Sequence, residues 1–576
     1  ISNHNSWTLR SDFCSSHADS CQQTGSELDY SGTWDFDFTP WENRLALENG
    51  NRNSGYGVPV SQRDFGDLSI AGDESEQSTF YTHQISAGNW LLNKPKTSWA
   101  TEIRCNGGTK GCNPVSDIRY NWQHFYYDGR NDVPGSIPAN DPKGWVTASE
   151  TEEYGSGDKF KVSRKYDQYG NVIEQTDPLG NTSSTKYYGG GIYPKESQNA
   201  LGHKTTMGYD FVLGVPTKTV GPNGSITEYA YDNLGRLTKI AKPGDSLGEP
   251  TSQFEYSVNN PAKSAPLAVH TKTRVDDSGE FLESYDFYNG IGQKFETQSR
   301  EPDGKALTNT SETNSLGNTT VSYLPFKHDK FGVAVSAPAD TPKARTEYDI
   351  RGRAIRSVAP DGRETRKLFR EADFLSASVD SENRVVVSKQ EGRVGKTITC
   401  RDKNGQICSE DNGLVTISYQ DVLGNTTKVV DSAGITVTEN DFDTLGRKEW
   451  TKDADLGDRY EYSYDKNGNI VWQKDPLGNV TTFAYDALNR TEWKKFNGEK
   501  KAEYQYDSCS NGKGRKCSFS DDYQETTYSY DERGRLDSVT KSFAGKDLED
   551  MFGSDPFATS YEYDNMGRQV AVTYPE

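Results

Sequence analysis

The sequence predicts an all-β protein made of repeated β-hairpins joined edge to edge into one long sheet. Three observations predict it. A Tyr-Asp-x-x-Gly-Arg phrase recurs through most of the chain, apolar and polar residues alternate between its copies, and 54 Gly and 23 Pro are spread along the chain rather than clustered.

The repeat comes first because a fixed period identifies a stacked architecture. Clear copies are Tyr166-Asp167 to Asn171, Tyr231-Asp232 with Gly235, Tyr348-Asp349, Tyr464-Asp465, Tyr485-Asp486, Tyr530-Asp531 with Gly534, and Tyr563-Asp564 with Gly567. Shorter or degenerate copies stand at Tyr209-Asp210, Phe287-Tyr-Asn, Phe442-Asp-Thr and Tyr506-Asp507. From Phe442 to Tyr464 is 22 residues, then 21 to Tyr485 and 21 to Tyr506.

One unit can be read physically. In Thr481-Thr-Phe-Ala-Tyr-Asp486, alternation puts Thr481, Phe483 and Tyr485 on one face. Asp can accept a hydrogen bond from the backbone two residues on, and Gly or Asn tolerates the left-handed conformation, so the phrase reads as strand, turn, strand. Asp475-Pro-Leu-Gly478 and Asp177-Pro-Leu-Gly180 supply the turn between copies. A lone hairpin is marginal in water, so the units must stack, with the repeat Tyr as packing ring and the Asp and Gly as turn formers.

Composition agrees. Only 32% of residues are hydrophobic, but 33 Tyr, 23 Phe and 10 Trp supply the large buried areas a disordered chain lacks. The net charge of −20 disfavours nucleic acid. No apolar stretch is long enough to span a bilayer as a helix. Ile1 and Glu576 both read as cuts through a larger protein.

The eight cysteines fall in four local pairs, Cys14/Cys21, Cys105/Cys112, Cys400/Cys408 and Cys509/Cys517. An even count, local spacing and turn context, such as Asn404-Gly405 inside the third pair, point to structural disulfides and an oxidising compartment. Nearest-neighbour pairing is the expectation among the 105 connectivities eight cysteines allow. Cys14, His17 and Cys21 offer three zinc ligands without a fourth, and the Asp-Pro-Leu-Gly-Asn loops lack the further acids calcium needs.

With Asp-Pro-Leu-Gly between its copies, the phrase Tyr-Asp-x-x-Gly-Arg-Leu resembles the YD repeat of bacterial Rhs proteins, Tc-toxin B/C components and teneurins. The resemblance covers about 160–576 and is strongest at 166–237 and 442–568. It implies a long sheet that spirals into a hollow shell. In Rhs and Tc proteins the shell encloses a toxic C-terminal domain, and in teneurins it belongs to a cell-surface adhesion protein. The aspartyl autoprotease that the resemblance implies has no counterpart among these residues, so no catalytic residue is carried over.

Seven of the ten Trp lie at or before Trp145, which sets a Trp-rich region of 1–155, a plug or first turn of the shell, apart from YD repeats at 156–240. Degenerate repeats with insertions follow over 241–420, and regular ones over 421–576. Phe80-Tyr-Thr-His and Asn89-Trp-Leu-Leu resemble a phrase preceding YD repeats in SpvB/TcB-like proteins.

The seven His form no HExxH pair, and no GxSxG elbow occurs. Gly395-Lys396-Thr397 imitates a phosphate loop, but Gln390 stands where its first Gly belongs and Ile398-Thr-Cys400 reads as a strand. The expectation is a non-enzymatic protein without metal or cofactor, secreted or on a cell surface. Its expected partners are its own C-terminal cargo domain or other toxin-complex subunits. The alternatives are an extracellular structural or adhesion protein touching a cell-surface protein or glycan, and a carbohydrate-binding or carbohydrate-active region in 1–155.

Overall fold

A computed structural model describes residues 143–257, 267–275, 279–370, 375–391, 393–400, 406–543 and 556–575. Before 143 it describes 34–37, 61–64, 75–86, 89–104, 113–114, 118–130 and 134–135. Among these residues there is no helix, and the strand pairings are antiparallel between neighbouring hairpins. The fold is the all-β hairpin repeat that the sequence predicts.

The strands gather into two compact units. One comprises Ile1–Thr182, Phe369–Ala377 and Arg384–Asn479, the other Ser183–Leu368, Ser378–Asn383 and Val480–Glu576. In each unit most strands pair with the strand before and the strand after them. In the second unit Val215–Val220, Ile226–Tyr231 and Leu237–Ala241 run consecutively, as do Glu499–Tyr506, Lys516–Asp521, Gln524–Tyr530 and Leu536–Phe543.

A bulge marks the repeat. Tyr231 faces Leu237, and the register then skips a residue so that Ala230 faces Lys239. The same skip follows Tyr166, Tyr348, Tyr464, Tyr485, Tyr530 and Tyr563. Its cause is the turn, in which Gly235 (φ +75°) takes the left-handed conformation after a tight reversal. Each bulge adds local right-handed twist to its hairpin.

Among the described residues, fully buried apolar side chains are few. In the first unit Val387 lies opposite Ile398, both buried beside Val385 and Cys400. In the second, a cross-strand row His270–Tyr285–Gln298–Thr308 and its neighbours Ala268, Phe287 and Glu296 form a covered patch. The cover is the loop 329–342, which leaves the sheet after Phe326–His328 pairs with the start of Ala306–Thr313.

Candidate functional site

The repeated turn is the feature that the sequence singles out, and its geometry recurs from copy to copy. Asp232 Oδ1 accepts from Leu234 N and Arg236 N, both at 2.9 Å, while Arg236 Nε donates to Asp232 Oδ2 at 2.7 Å. Asp349, Asp486 and Asp531 repeat this with Arg353, Arg490 and Arg535. Asp564 does so with Arg568. Asp167 and Asp465 accept from Asn171 and Asn469 instead. The backbone and side-chain bonds from Arg236 hold the Asp232 carboxyl below its ordinary pKa, and those from Arg353 do the same for Asp349. Gly534 (φ +77°) and Gly567 (φ +89°) occupy the left-handed position that Asn489 (φ 60°) fills in its own copy.

The Tyr belongs to the joint between copies. Tyr506 Oη donates to Thr491 O at 3.0 Å, and Thr491 directly follows Arg490 of the preceding turn. The Arg490 guanidinium lies 4.3 Å over the Tyr506 ring. Tyr256 repeats the pair with Leu237 O and Arg236, Tyr464 with Lys448 O and Arg447, and Tyr530 with Lys516 O and Arg515. At Tyr166 the acceptor is Val146 O, and Trp145 takes the place of the Arg. A relay therefore runs from Asp to Arg within one turn, to the Tyr ring of the next copy, and back to the first copy's backbone. The repeat Tyr residues are half-buried, and burial raises the pKa of Tyr464, Tyr506 and Tyr530, keeping each phenol a neutral donor. The Arg is a joint residue that the sequence does not mark, although Gly-Arg is part of the repeated phrase.

The Cys509–Cys517 disulfide (Cα–Cα 5.4 Å) sits inside an enlarged copy of the turn, in which Asp507 N donates to Arg515 O at 3.0 Å across the inserted residues. Cys400 is bonded to Cys408 (Cα–Cα 5.5 Å). Cys14, Cys21, Cys105, Cys112 and the Asn404-Gly405 turn lie outside the described residues.

Thr308 Oγ1 lies 2.8 Å from His328 Nε2, but Thr308 is wholly buried, so no substrate reaches that hydroxyl. His270 has Glu283 at 2.8 Å on one ring nitrogen and Glu255 at 3.4 Å on the other, and its face stacks on Tyr285 at 4.2 Å. Glu296 and Gln298 are buried and tie down the covering loop: Gln298 Nε2 donates to Glu296 Oε1 and Val333 O, and Gly332 N donates to Gln298 Oε1. Burial raises the Glu296 pKa. Among the described residues no cluster of His, Cys, Asp and Glu could hold a metal.

These features define a repeat scaffold, in which one set of contacts is copied from hairpin to hairpin. The RHS-repeat family model matches residues 214–247 and 464–491. No curated protein matches the chain. Among solved structures, the TcdB2–TccC3 complex with Cdc42 aligns with a TM-score of 0.72 at 13% identity, over 96% of this chain and 35% of that chain. TcdB2–TccC3 aligns at 0.71 and 14% identity, over 96% and 33% of the two chains. The Photorhabdus luminescens Tc holotoxin pore gives 0.74 and 13%, over 91% and 36%. The chain spans about a third of the length of these matches, and at such identity the likeness establishes the fold. The chain carries RHS, or YD, repeats at 214–247 and 464–491, and its fold is similar to that of these structures.

Proposed function

We propose that the chain is a stretch of a non-catalytic RHS-repeat shell from an exported bacterial protein, and that the whole protein encloses a C-terminal toxin or effector domain and delivers it. Its partners are then that cargo domain or other toxin-complex subunits. The observation that carries this reading is the fold likeness to TcdB2–TccC3 over 96% of the chain. The relay supports it, because its Asp, Arg and Tyr side chains are engaged in joining hairpins. Shielding a cargo requires a continuous wall more than a reactive site.

Protease protection of the whole gene product tests the reading. The cargo domain should survive digestion while the shell is folded and be degraded once denaturant opens it. Equal digestion in both conditions contradicts enclosure.

A second reading, an extracellular or cell-surface structural or adhesion protein, draws on the Cys400–Cys408 and Cys509–Cys517 disulfides. Non-reducing peptide mapping of secreted material should find both bonds, and free thiols at all four positions would remove the support for export. A carbohydrate-binding region in 1–155 has less support. Arg119 lies over both Trp99 and Trp122, and Tyr166 and Lys143 lie against Trp145, so these ring faces are already covered.

A further inference from the structure

The enlarged turn closed by Asp507 N on Arg515 O carries four residues more than the turn closed by Asp232 N on Arg236 O. Within the second unit its tip reaches two turns far back in the chain. Asp507 Oδ2 lies 3.4 Å from His203 Nε2, in the turn 199–203. Lys513 N donates to Asn223 Oδ1 at 2.9 Å, and Asn223 Nδ2 returns a bond to Lys513 O at 3.1 Å, in the turn 221–225. The following tip docks too, with Arg533 donating to Pro243 O and Asp245 Oδ2, each at 2.9 Å, but it holds no cysteine.

The Cys509–Cys517 bond lies at the centre of the enlarged tip. Cys509 N donates to Cys517 Sγ at 2.9 Å, Gly512 N to Cys509 O at 2.9 Å and Arg515 N to Gly512 O at 2.8 Å. Gly512 is buried against the bond, and a Cβ there would collide with both sulfurs. Two thiol sulfurs stand further apart than two bonded ones, so a reduced pair needs the space that Gly512 fills. Gly512 directly precedes Lys513, the residue that Asn223 holds. Cys517 is buried and Cys509 half-exposed, so a reductant reaches the bond through Cys509.

We propose that Cys509–Cys517 is a redox latch, holding the enlarged tip on the 199–203 and 221–225 turns while the bond is closed and releasing it when a dithiol reduces the bond. One thiolate of the dithiol attacks Cys509 Sγ to form a mixed disulfide, and Cys517 leaves as a thiolate that takes up a proton. The second thiolate of the dithiol then closes its own disulfide and expels Cys509, which is protonated in turn. The cysteine pair gains two electrons and two protons, and the dithiol is oxidised. The latch itself does not depend on the export reading, which supplies only a passage from an oxidising to a reducing compartment.

Linkage tests it, because docking that favours the closed bond must be weakened when the bond opens, and the reverse. The full chain is equilibrated with dithiothreitol, and alkylation at Cys509 and Cys517 is read by peptide mass spectrometry. Asn223→Ala should shift the reduction equilibrium toward the dithiol by about tenfold, since both bonds to Lys513 are lost. Phe287→Ala, which weakens a different patch, should leave it unchanged. In wild type, reduction should speed amide exchange in 511–514, and Cys509→Ser/Cys517→Ser should show that faster exchange without reductant. Equal reduction equilibria in wild type and Asn223→Ala, or a reduced chain whose 511–514 amides stay protected, would overturn the latch.

Discussion

Between Tyr485 and Tyr563 the second unit repeats one small set of contacts, and between Leu267 and Pro342 it builds a single covered patch. In the regular stretch Arg490, Arg515, Arg535 and the repeat Tyr side chains are half-buried. Arg–Tyr contacts tie successive hairpins, Arg490 to Tyr506, Arg515 to Tyr530 and Arg535 to Tyr563, with the full Asp-Arg-Tyr relay at Asp486. In the irregular stretch Phe287, Glu296, Gln298 and Thr308 are buried under the loop 329–342, and polar groups satisfy one another where water is excluded. Stability in the first is divided among equivalent joints. In the second it is concentrated, so one substitution there should cost more.

The largest expected effect is accordingly Phe287→Ala. Removing this buried ring should destabilise the patch by roughly 3–5 kcal/mol, read as faster amide exchange across 281–300 with 485–506 unaffected. A uniform loss across both stretches would mean that they unfold together. Next is the double change Cys509→Ser and Cys517→Ser. Opening the short loop should cost about 2–3 kcal/mol by chain entropy, seen as a lower denaturation midpoint and new protease sensitivity in 507–515. Arg490→Ala follows, at about 2 kcal/mol, because the Asp486 and Asp507 carboxylates and the Tyr506 ring each lose a partner.

The two stretches should also respond to pH in opposite directions. In the regular stretch Asp507, and the adjoining Asp564, have lowered pKa values: burial pushes both up, but hydrogen bonds, first from the Arg490 and Arg568 side chains respectively, outweigh it. Their contribution is present above the unfolded value, about 3.9, and is lost as pH falls through the folded value. Glu296 is raised by burial, so its contribution is complete below about 4.3 and declines as pH rises through the folded value. Amide exchange should loosen the turns in acid and the 329–342 loop toward alkaline pH, and Glu296→Gln should abolish only the second response.

The sequence discloses the regular stretch far better than the irregular one. Tyr-Asp-x-x-Gly-Arg states its turn chemistry locally, since Asp, Gly and Arg meet within five residues, and the period shows that the turn recurs. The role of the Tyr is half legible: its face follows from alternation, but its hydroxyl and ring meet Leu237 or Thr491 of the preceding copy, and spacing alone does not place that contact. The Arg hides in the same phrase because a surface cation ordinarily needs no explanation. Nothing in Gln298 or Glu296 marks them as buried, because their cover comes from Gly332, Val333 and Val335, more than thirty residues away. The docking of Arg533 on Asp245 is equally invisible, being set by how far the sheet runs before its edges meet.

The central claim is that the repeated phrase works as a joint between hairpins. A double-mutant cycle on Arg490→Ala and Tyr506→Ala tests it most directly. If the guanidinium and ring form one joint, the two losses should fall short of additivity by about 0.5–1 kcal/mol. Strict additivity would show that the two residues act independently and would contradict the relay.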